Sequence, residues 1–475
     1  MEANTNNSPV PVITPQSAPQ QPTFVPAIAP TPVKSNKKVF AIIGSLVALI
    51  IIVFIAIFAV LLPRLNNSSS GEGEIVWWGF WEESQVTPLI AEYQSQHPGV
   101  TIKYVKQSQT DYRERLSSSI ARKQAPDIFK IHNTWVPMFS EDLATLPGDI
   151  MPEEEYINTF YSPVKDSLIT KEGIVGIPLS FDALGLFVNQ DIFTTFSESV
   201  PKSWNELRQT ATNLTIKNLE RTSDNNIEQS GIALGLVDNV EYWQEILMLM
   251  LIQNGANLVD LNGSLASGAY QYYLQFKTVD RVWDETFPDS VTAFAAGKVA
   301  MILAPSTASQ KVLDLNPNVR FKVYPVPQLP KLNDSDPNVT YATFWAESVW
   351  SGSKHQKESW EFLKFMSSSS SIVKLGLNEP SPRKDMKANY ASNPYYASTV
   401  NEADTARVWY VASDTNDGQT GINSSLAEAY KKPLAVTGNL SVAGDIEKLL
   451  PQVSLEVRTI LSKYGLVAPP PPPEE

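Results

Sequence analysis

The side chains that most often catalyse reactions or hold metals are sparse in this chain of 475 residues. It has no cysteine, and its three histidines, His97, His132 and His355, lie far apart. No HExxH motif, phosphate-binding glycine loop or GxSxG elbow occurs. The acidic pair Glu82-Glu83 would suit a glycoside hydrolase, but adjacent carboxylates usually form a solvated face. We therefore expect no enzymatic activity, no metal and no cofactor.

Aromatic side chains follow two of the predicted strands, at the point where each strand ends. The first strand runs into Trp78-Gly79-Phe80-Trp81, and the third runs into His132-Asn133-Thr134-Trp135. Ligands of open α/β sheets bind beyond the carboxyl ends of the strands, so these rings should meet at one edge. Flat rings beside amides and carboxylates suit a sugar. The alternative, core packing, is the commoner use of tryptophan. For Trp135 we expect binding, with little effect of alanine on the melting temperature.

The other tryptophans divide by their sequence context. Trp204 and Trp360 lie on the apolar faces of amphipathic helices, which predicts a place in the core. Both roles, ligand contact and core packing, remain open for Trp243, Trp345 and Trp409.

The elements that must position these residues alternate between strand and helix. Strands are predicted at 75–78, 100–105 and 127–131, separated by helices that end at Pro98-Gly99 and before Pro126. This βαβαβ order predicts a parallel sheet covered by helices. Later segments alternate less regularly, with strands predicted at 231–237, 299–303 and 320–326 and helices at 203–215, 240–253 and 357–367.

Residues 39–62 form an unbroken run of 24 uncharged residues, mostly Leu, Ile, Val and Phe. As a helix this run would be about 36 Å long, enough to cross a hydrocarbon core of about 30 Å. A cleaved signal peptide is the alternative, but its apolar core spans only about 7–15 residues. Lys34, Lys37 and Lys38 precede the run and only Arg64 closely follows it. This asymmetry predicts a cytoplasmic N-terminus and an extracellular or periplasmic main domain.

The remaining segments divide by composition. Residues 1–38 are rich in proline and small polar residues, which predicts a disordered cytoplasmic tail. Residues 63–73 are expected to form a flexible linker and residues 467–475 a solvated proline-rich tail. The folded unit should span 74–466. The net charge of −13 makes nucleic acid a poor partner.

Six short motifs, in order and spacing, resemble the extracellular solute-binding proteins of ABC importers, specifically the maltose-binding-like carbohydrate group. The likeness covers about 75–461. The motifs are EYQSQHPGV at 92–100, APDIF at 125–129, GIVGIPLSFDALGLFVNQDIF at 173–193, VPKSWNEL at 200–207, AFAAGKVAMIL at 293–303 and SWEFLKFM at 359–366.

The resemblance implies an α/β fold of two lobes joined by hinge crossings, the periplasmic-binding-protein-like fold, preceded here by one transmembrane helix. The first lobe would comprise about 74–180 and 304–345, and the second about 181–303 and 346–466. Residues 293–303 would form the return crossing. Solute contacts both lobes only in the closed form, and therefore favours closure.

The resemblance also implies, by position, a set of ligand-binding residues, to which we add Trp409 for its polar surroundings. The set is Trp78, Phe80, Trp81, Glu82, Asn133, Trp135, Phe181, Asp182, Trp243, Trp345, Glu347 and Trp409. The implied partners are a carbohydrate ligand and an ABC transporter permease in the same membrane, and we expect a monomer. Two alternatives remain open: a surface receptor that signals through residues 1–36, and a scaffold that binds glycan or peptide. A glycoside hydrolase is a third and less favoured alternative.

Overall fold

The computed structural model describes residues 74–218, 227–331, 333, 335–413, 417–435 and 442–470. The predicted tail at 1–38, the membrane span at 39–62 and the linker at 63–73 lie outside these residues. Among the helices of the described ranges, none combines the length and the apolar character needed to cross a membrane.

The first lobe opens with the predicted alternation of strands and helices. Its first elements are β1 (Glu74–Gly79), α1 (Glu83–Gln96), β2 (Thr101–Lys106), α2 (Tyr112–Ala121) and β3 (Ile128–His132). β1 is parallel to both β2 and β3, which confirms the predicted parallel sheet. Burial alternates along β1, because successive side chains of a strand point to opposite faces.

The chain then stays in the first lobe through short elements. A 3₁₀ helix at Asn133–Met138 follows β3 directly. The later elements are α3 (Glu153–Thr159), α4 (Ser162–Leu168), β4 (Ile169–Thr170), β5 (Gly173–Ile174) and β6 (Ile177–Pro178).

The second lobe is built around β7 (Asp182–Asn189), whose eight residues are all buried, as expected of a strand covered on both faces. A capping box of Ser203 and Glu206 begins the second helix of this lobe, within the range predicted to be helical. The other elements are α5 (Gln190–Phe196), α6 (Trp204–Leu214), β8 (Ile216–Lys217), β9 (Ile227–Ile232), α7 (Trp243–Gln253), α8 (Ser264–Thr278), α9 (Ser290–Ala295), β10 (Val299–Pro305), α10 (Ala308–Leu315) and β11 (Phe321–Tyr324). The strand order is β11-β7-β10-β9-β8.

The chain returns to the first lobe and then leaves it again. The returning elements are β12 (Ala342–Thr343), β13 (Trp345–Val349), α11 (Gln356–Met366), α12 (Ser369–Leu375) and α13 (Ala397–Glu402). β13 inserts antiparallel between β3 and β6, which gives the first sheet the order β2-β1-β3-β13-β6. The last helices, α14 (Ile422–Lys431) and α15 (Val442–Ser462), pack on the core of the second lobe.

The predicted lobe boundaries need correction. Residues 293–303 do not form a return crossing, because β10 pairs with β7 and β9 inside the second sheet. The return lies later, where Tyr341 packs in the second core and Phe344 in the first. Most of 304–345 therefore belongs to the second lobe and most of 346–406 to the first, although Tyr395 packs on Phe321 of the second lobe. The lobe to which each segment belongs depends on strand pairing between residues that are distant in sequence. Local sequence patterns do not predict that pairing.

Candidate functional site

A cluster of rings surrounds Trp345 at the carboxyl edge of β3. The centroid of the Trp345 ring lies 5.0 Å from those of Phe80 and Trp135, 5.2 Å from that of His132 and 6.4 Å from that of Tyr112. All four contacts are edge-to-face, an arrangement that aromatic pairs favour. Phe80 and Trp345 keep exposed surface, whereas the other three rings are buried. We call these five residues the Trp345 cluster.

Trp135 is a core residue, which overturns the expectation that it contacts solute directly. Its side chain is 0% exposed. The ring stacks at 6.3 Å on Tyr112 and at a tilt on Phe139, besides its contact with Trp345. The 3₁₀ helix that follows β3 turns this indole inward, so that Trp135 supports Trp345 from behind.

The end of β1 and the loop between β1 and α1 contain four of the predicted residues. Trp78 is half-buried, and Trp81 is 8% exposed. Glu82 is exposed, caps α1 through a capping box and forms an ion pair with Lys106. Phe80 belongs to the Trp345 cluster. The exposed surface of Phe80 and Glu82 therefore makes this loop the part of the first lobe best suited to contact a solute.

Glu347 does not present its carboxylate to solvent, contrary to the predicted ligand contact. It is fully buried, and its Oε1 lies 2.9 Å from Nζ of Lys130. Its Oε2 accepts a hydrogen bond of 2.9 Å from Nε1 of Trp77. Burial, followed by the Glu347 charge, raises the pKa of Tyr104 and of Tyr112 above the ordinary tyrosine value. Both phenols thus remain neutral: the Tyr104 hydroxyl donates to the Trp81 carbonyl, and the Tyr112 hydroxyl accepts from the Lys130 N–H.

Asn133 fastens β3 to the returning chain. Its backbone N–H donates to the carbonyl of Phe344 at 3.0 Å, and its Oδ1 accepts from the Phe344 N–H at 3.1 Å. Its Nδ2 lies 3.4 Å from Oγ of Ser167. These bonds occupy the amide that was expected to contact solute.

Phe181 and Asp182 lie where β7 leaves the first lobe. The Phe181 ring is buried and stacks on Phe344 at 5.7 Å. Oδ1 of Asp182 accepts from N and Oγ of Ser306 at 2.8 and 2.6 Å, and Oδ2 accepts from N of Thr307 at 3.0 Å. Burial raises the pKa of Asp182 to about 6, against the lowering effect of these hydrogen bonds. Asp182 thus ties the hinge strand to the start of α10.

The remaining tryptophans belong to the cores. Trp204 and Trp360 are buried as predicted. Trp243 begins α7 and is nearly buried in the second core. Trp409 is half-buried at the edge of this core, where its Nε1 donates to the hydroxyl of Tyr430 at 3.0 Å. Trp409 and its neighbour Tyr410, at 5.1 Å, carry the exposed aromatic surface of that region.

The two lobes meet at a polar contact beside the Trp345 cluster. Nδ2 of Asn423, in α14 of the second lobe, donates to Oγ1 of Thr134 in the first lobe. Both side chains are buried. The N–H of Ile422 lies 3.4 Å from Sδ of Met138, and Nη2 of Arg113 lies 3.3 Å from Oγ1 of Thr420.

Sequence reasoning missed Tyr112, Lys130, Thr134 and Asn423. Thr134 stands within the strand-end run that was singled out, so the sequence did carry a signal for it. Lys130 is a charged residue inside a buried strand, which is itself an indication of a fixed partner. Nothing local marks Asn423.

Neither metal-binding clusters nor cavities in the described ranges indicate a different site that includes the predicted residues. No group of three or more histidine, aspartate and glutamate side chains is placed there to hold a metal. Two cavities, of about 320 and 230 Å³, are lined by none of the predicted site residues. The larger includes Thr170, Glu172 and Gln356, and the smaller Trp204 and Tyr272.

Comparisons with known proteins agree with this architecture. The sequence profile of bacterial extracellular solute-binding proteins matches residues 88–394. A chain of Brucella abortus (strain 2308) named as a binding protein is 21% identical over 342 residues, which is 69% of this chain and 80% of that protein.

Two solved structures share the two-lobed fold. The cyclic alpha-maltosyl-1,6-maltose binding protein of Arthrobacter globiformis superposes with a TM-score of 0.66 at 16% identity, over 82% of this chain and 99% of that chain. The GacH receptor of Streptomyces glaucescens GLA.O, solved unliganded and with acarbose, superposes with a TM-score of 0.61 at 21% identity, over the same shares.

Proposed function

Because the chain belongs to the family of bacterial extracellular solute-binding proteins, we propose that it captures a carbohydrate between its lobes and delivers it to an ABC importer. Its relatives are binding proteins rather than enzymes, so the carbohydrate should leave intact. Similar folds that bind maltosyl-maltose or acarbose support the choice of ligand class.

The Trp345 cluster is the observation that carries this proposal. Phe80 and Trp345 present half-exposed rings at the carboxyl edge of the first sheet, where α/β folds bind ligands. A pyranose has apolar C–H faces that pack on such rings and hydroxyl edges that need polar partners. The exposed Glu82 carboxylate stands in the same loop as Phe80 and can accept from a sugar hydroxyl.

Lobe closure supplies the capture step. The contact between Thr134 and Asn423 joins the lobes directly beside the cluster. A solute that touches Phe80 and Trp345 on one lobe and the Trp409 region on the other gains contacts only in the closed form. Its differential affinity for that form shifts the population.

Membrane attachment is the second part of the proposal. Residues 39–62 are long and apolar enough to span a bilayer, and the basic residues before them favour a cytoplasmic N-terminus. The main domain would then remain outside, close to a permease in the same membrane.

Calorimetric titration of the full chain tests ligand class and turnover together. The detergent must carry no sugar headgroup, because maltoside detergents would compete. Maltodextrins, manno-oligosaccharides and acarbose are added, and the solutions are then chromatographed. We expect saturable binding of one carbohydrate per chain with no products. Cleaved products would favour a hydrolase, and binding of peptides alone would favour a scaffold.

Cell fractionation tests the anchor separately. The full chain should sediment with membranes, with its main domain open to added protease in cells or spheroplasts. A variant lacking 39–62 should lose the membrane association. A soluble full chain would contradict the anchor without touching the ligand proposal.

A further inference from the structure

A buried ion pair lies behind the β1–α1 loop. Lys130 in β3 and Glu347 in β13 are register partners, and their side chains are 4% and 0% exposed. Nζ and Oε1 lie 2.9 Å apart. Burying two charges costs desolvation energy that their attraction often fails to recover, so such pairs are weak sources of stability. Fixing one specific arrangement of the surrounding chain is the better-supported reason for a protein to retain a buried ion pair.

Both members of the pair hold tryptophan rings of the same strand and loop. Nζ of Lys130 lies 3.7 Å from the centroid of the Trp81 ring and 5.7 Å from that of Phe80, within cation–π range. Oε2 of Glu347 accepts from Nε1 of Trp77 at 2.9 Å. The cation therefore holds the loop, and the anion holds the strand that leads into it.

Trp81 is also fixed through its backbone. Its carbonyl accepts a hydrogen bond of 2.9 Å from the hydroxyl of Tyr104. Gly79 permits this close approach, since a Cβ there would lie 2.7 Å from the Tyr104 ring. With its ring over Lys130 and its carbonyl bonded, Trp81 anchors a loop whose other members, Phe80 and Glu82, retain exposed surface.

We propose that Lys130 is a positioning residue for solute capture: paired with Glu347, it fixes Trp81 and thereby holds Phe80 and Glu82 in their binding arrangement. This inference rests on the proposed carbohydrate-binding function. A loop that is already ordered loses little conformational freedom when solute binds, whereas a loosened loop weakens affinity. Removing the cation–π contact should raise the Kd about tenfold.

The central test is the double variant Lys130→Met/Glu347→Gln. Lys130→Met alone would strand a buried carboxylate, which is strongly destabilising. The double variant is neutral and similar in size, and the glutamine oxygen can still accept from Trp77. We expect melting close to that of wild type, with the oligosaccharide Kd raised about tenfold. Unchanged affinity would overturn the proposal.

Two further variants separate positioning from general loss of stability. Lys374→Met/Glu92→Gln removes an ion pair of 2.7 Å on the surface of the same lobe and should leave the Kd unchanged. Lys130→Arg keeps the cation and should recover most of the affinity. If the double variant does not fold, Trp81→Leu provides the test, because it keeps the ion pair and removes only the ring. Wild-type affinity in Trp81→Leu would overturn the proposal.

A measurement without ligand distinguishes failure of this inference from failure of the proposed function. If the wild-type chain binds no carbohydrate, the proposed function fails. Tryptophan emission then tests whether Lys130 holds the Trp81 ring. Lys130→Met/Glu347→Gln should alter the emission spectrum, and the difference should become smaller in a Trp81→Leu background. The part that remains there belongs to Trp77, whose Nε1 loses its carboxylate acceptor. An unaltered spectrum, or a difference of the same size without Trp81, would show that Lys130 does not hold this ring.

Discussion

The side-chain amide of Asn423 donates a hydrogen bond to the hydroxyl of Thr134, 289 positions away in the sequence and in the opposite lobe. The same hydroxyl lies 2.8 Å from Nδ1 of His132, a member of the Trp345 cluster. The backbone N–H of Asn423 donates to Asp417 at 2.8 Å, which fixes the start of α14. The lobe contact is therefore coupled structurally to the aromatic cluster.

Removing this contact should shift the protein toward its open form. Asn423→Ala deletes one buried hydrogen bond between the lobes, worth about 1 kcal/mol, which corresponds to about a fivefold rise in Kd. The radius of gyration of the ligand-free protein, measured by small-angle scattering, should increase. Glu428→Ala, an exposed change on the same helix, is the control and should alter neither quantity.

Trp135→Ala should act on stability. The ring is fully buried among Tyr112, Phe139 and Trp345, and its loss leaves a large cavity. We expect the free energy of unfolding to fall by about 3–5 kcal/mol. Chemical denaturation measures this loss. A variant of normal stability that fails to bind would return Trp135 to the list of direct contacts.

Trp345→Ala should weaken carbohydrate binding more than it lowers stability, the reverse of Trp135→Ala. This ring keeps exposed surface at the sheet edge, so its removal should weaken carbohydrate binding by about 1–3 kcal/mol. Its edge-to-face contacts with Phe80 and Trp135 add some stability, and Trp345→Phe should retain part of both properties. Titration and thermal melting of the two variants in parallel separate the effects. Full affinity in Trp345→Ala would remove the cluster from the binding site.

Asp182 should make the stability of the protein depend on pH between about 4 and 6. Burial raises its pKa in the folded state to about 6 from the ordinary 3.8. The folded protein therefore holds this proton over a range in which the unfolded chain has lost it. The stabilisation is complete below about pH 4 and disappears as the pH rises through about 6, a change of about 3 kcal/mol.

The variant Asp182→Asn isolates this contribution, because its side chain does not titrate. Denaturation curves of wild type and variant are compared at pH values from 4 to 7. The difference in unfolding free energy between them should change across this window in the stated direction. A difference that stays constant would show that Asp182 has an ordinary pKa in the folded protein.

The start of the fold was predictable because its signals are local. The apolar run at 75–78, the Pro98-Gly99 stop and Pro126 mark three strands and two helices without reference to distant residues. The place of β13 in the first sheet was not predictable, because its partners Ile128–His132 lie more than 200 residues earlier. Pairing between residues so far apart produces no pattern in the local sequence.

The site was predictable only in outline. Trp135 and Trp345 both adjoin strand ends, and periodicity does not show that a 3₁₀ turn buries the first while the second keeps exposed surface. Glu347 resembled a ligand contact because the lysine that neutralises it lies on another strand. Whether a polar residue is buried with its protein partners depends on tertiary contacts, and this separates the buried Asp182 and Asn133 from the exposed Glu82.

The most direct measurement is a crystal structure of the protein with its tightest-binding oligosaccharide. We expect a sugar ring packed against Phe80 and Trp345, with the second lobe contacting its other side and the Thr134–Asn423 bond in place. An oligosaccharide bound elsewhere, with these two rings untouched and the lobes apart, would contradict the proposed capture of carbohydrate between the lobes.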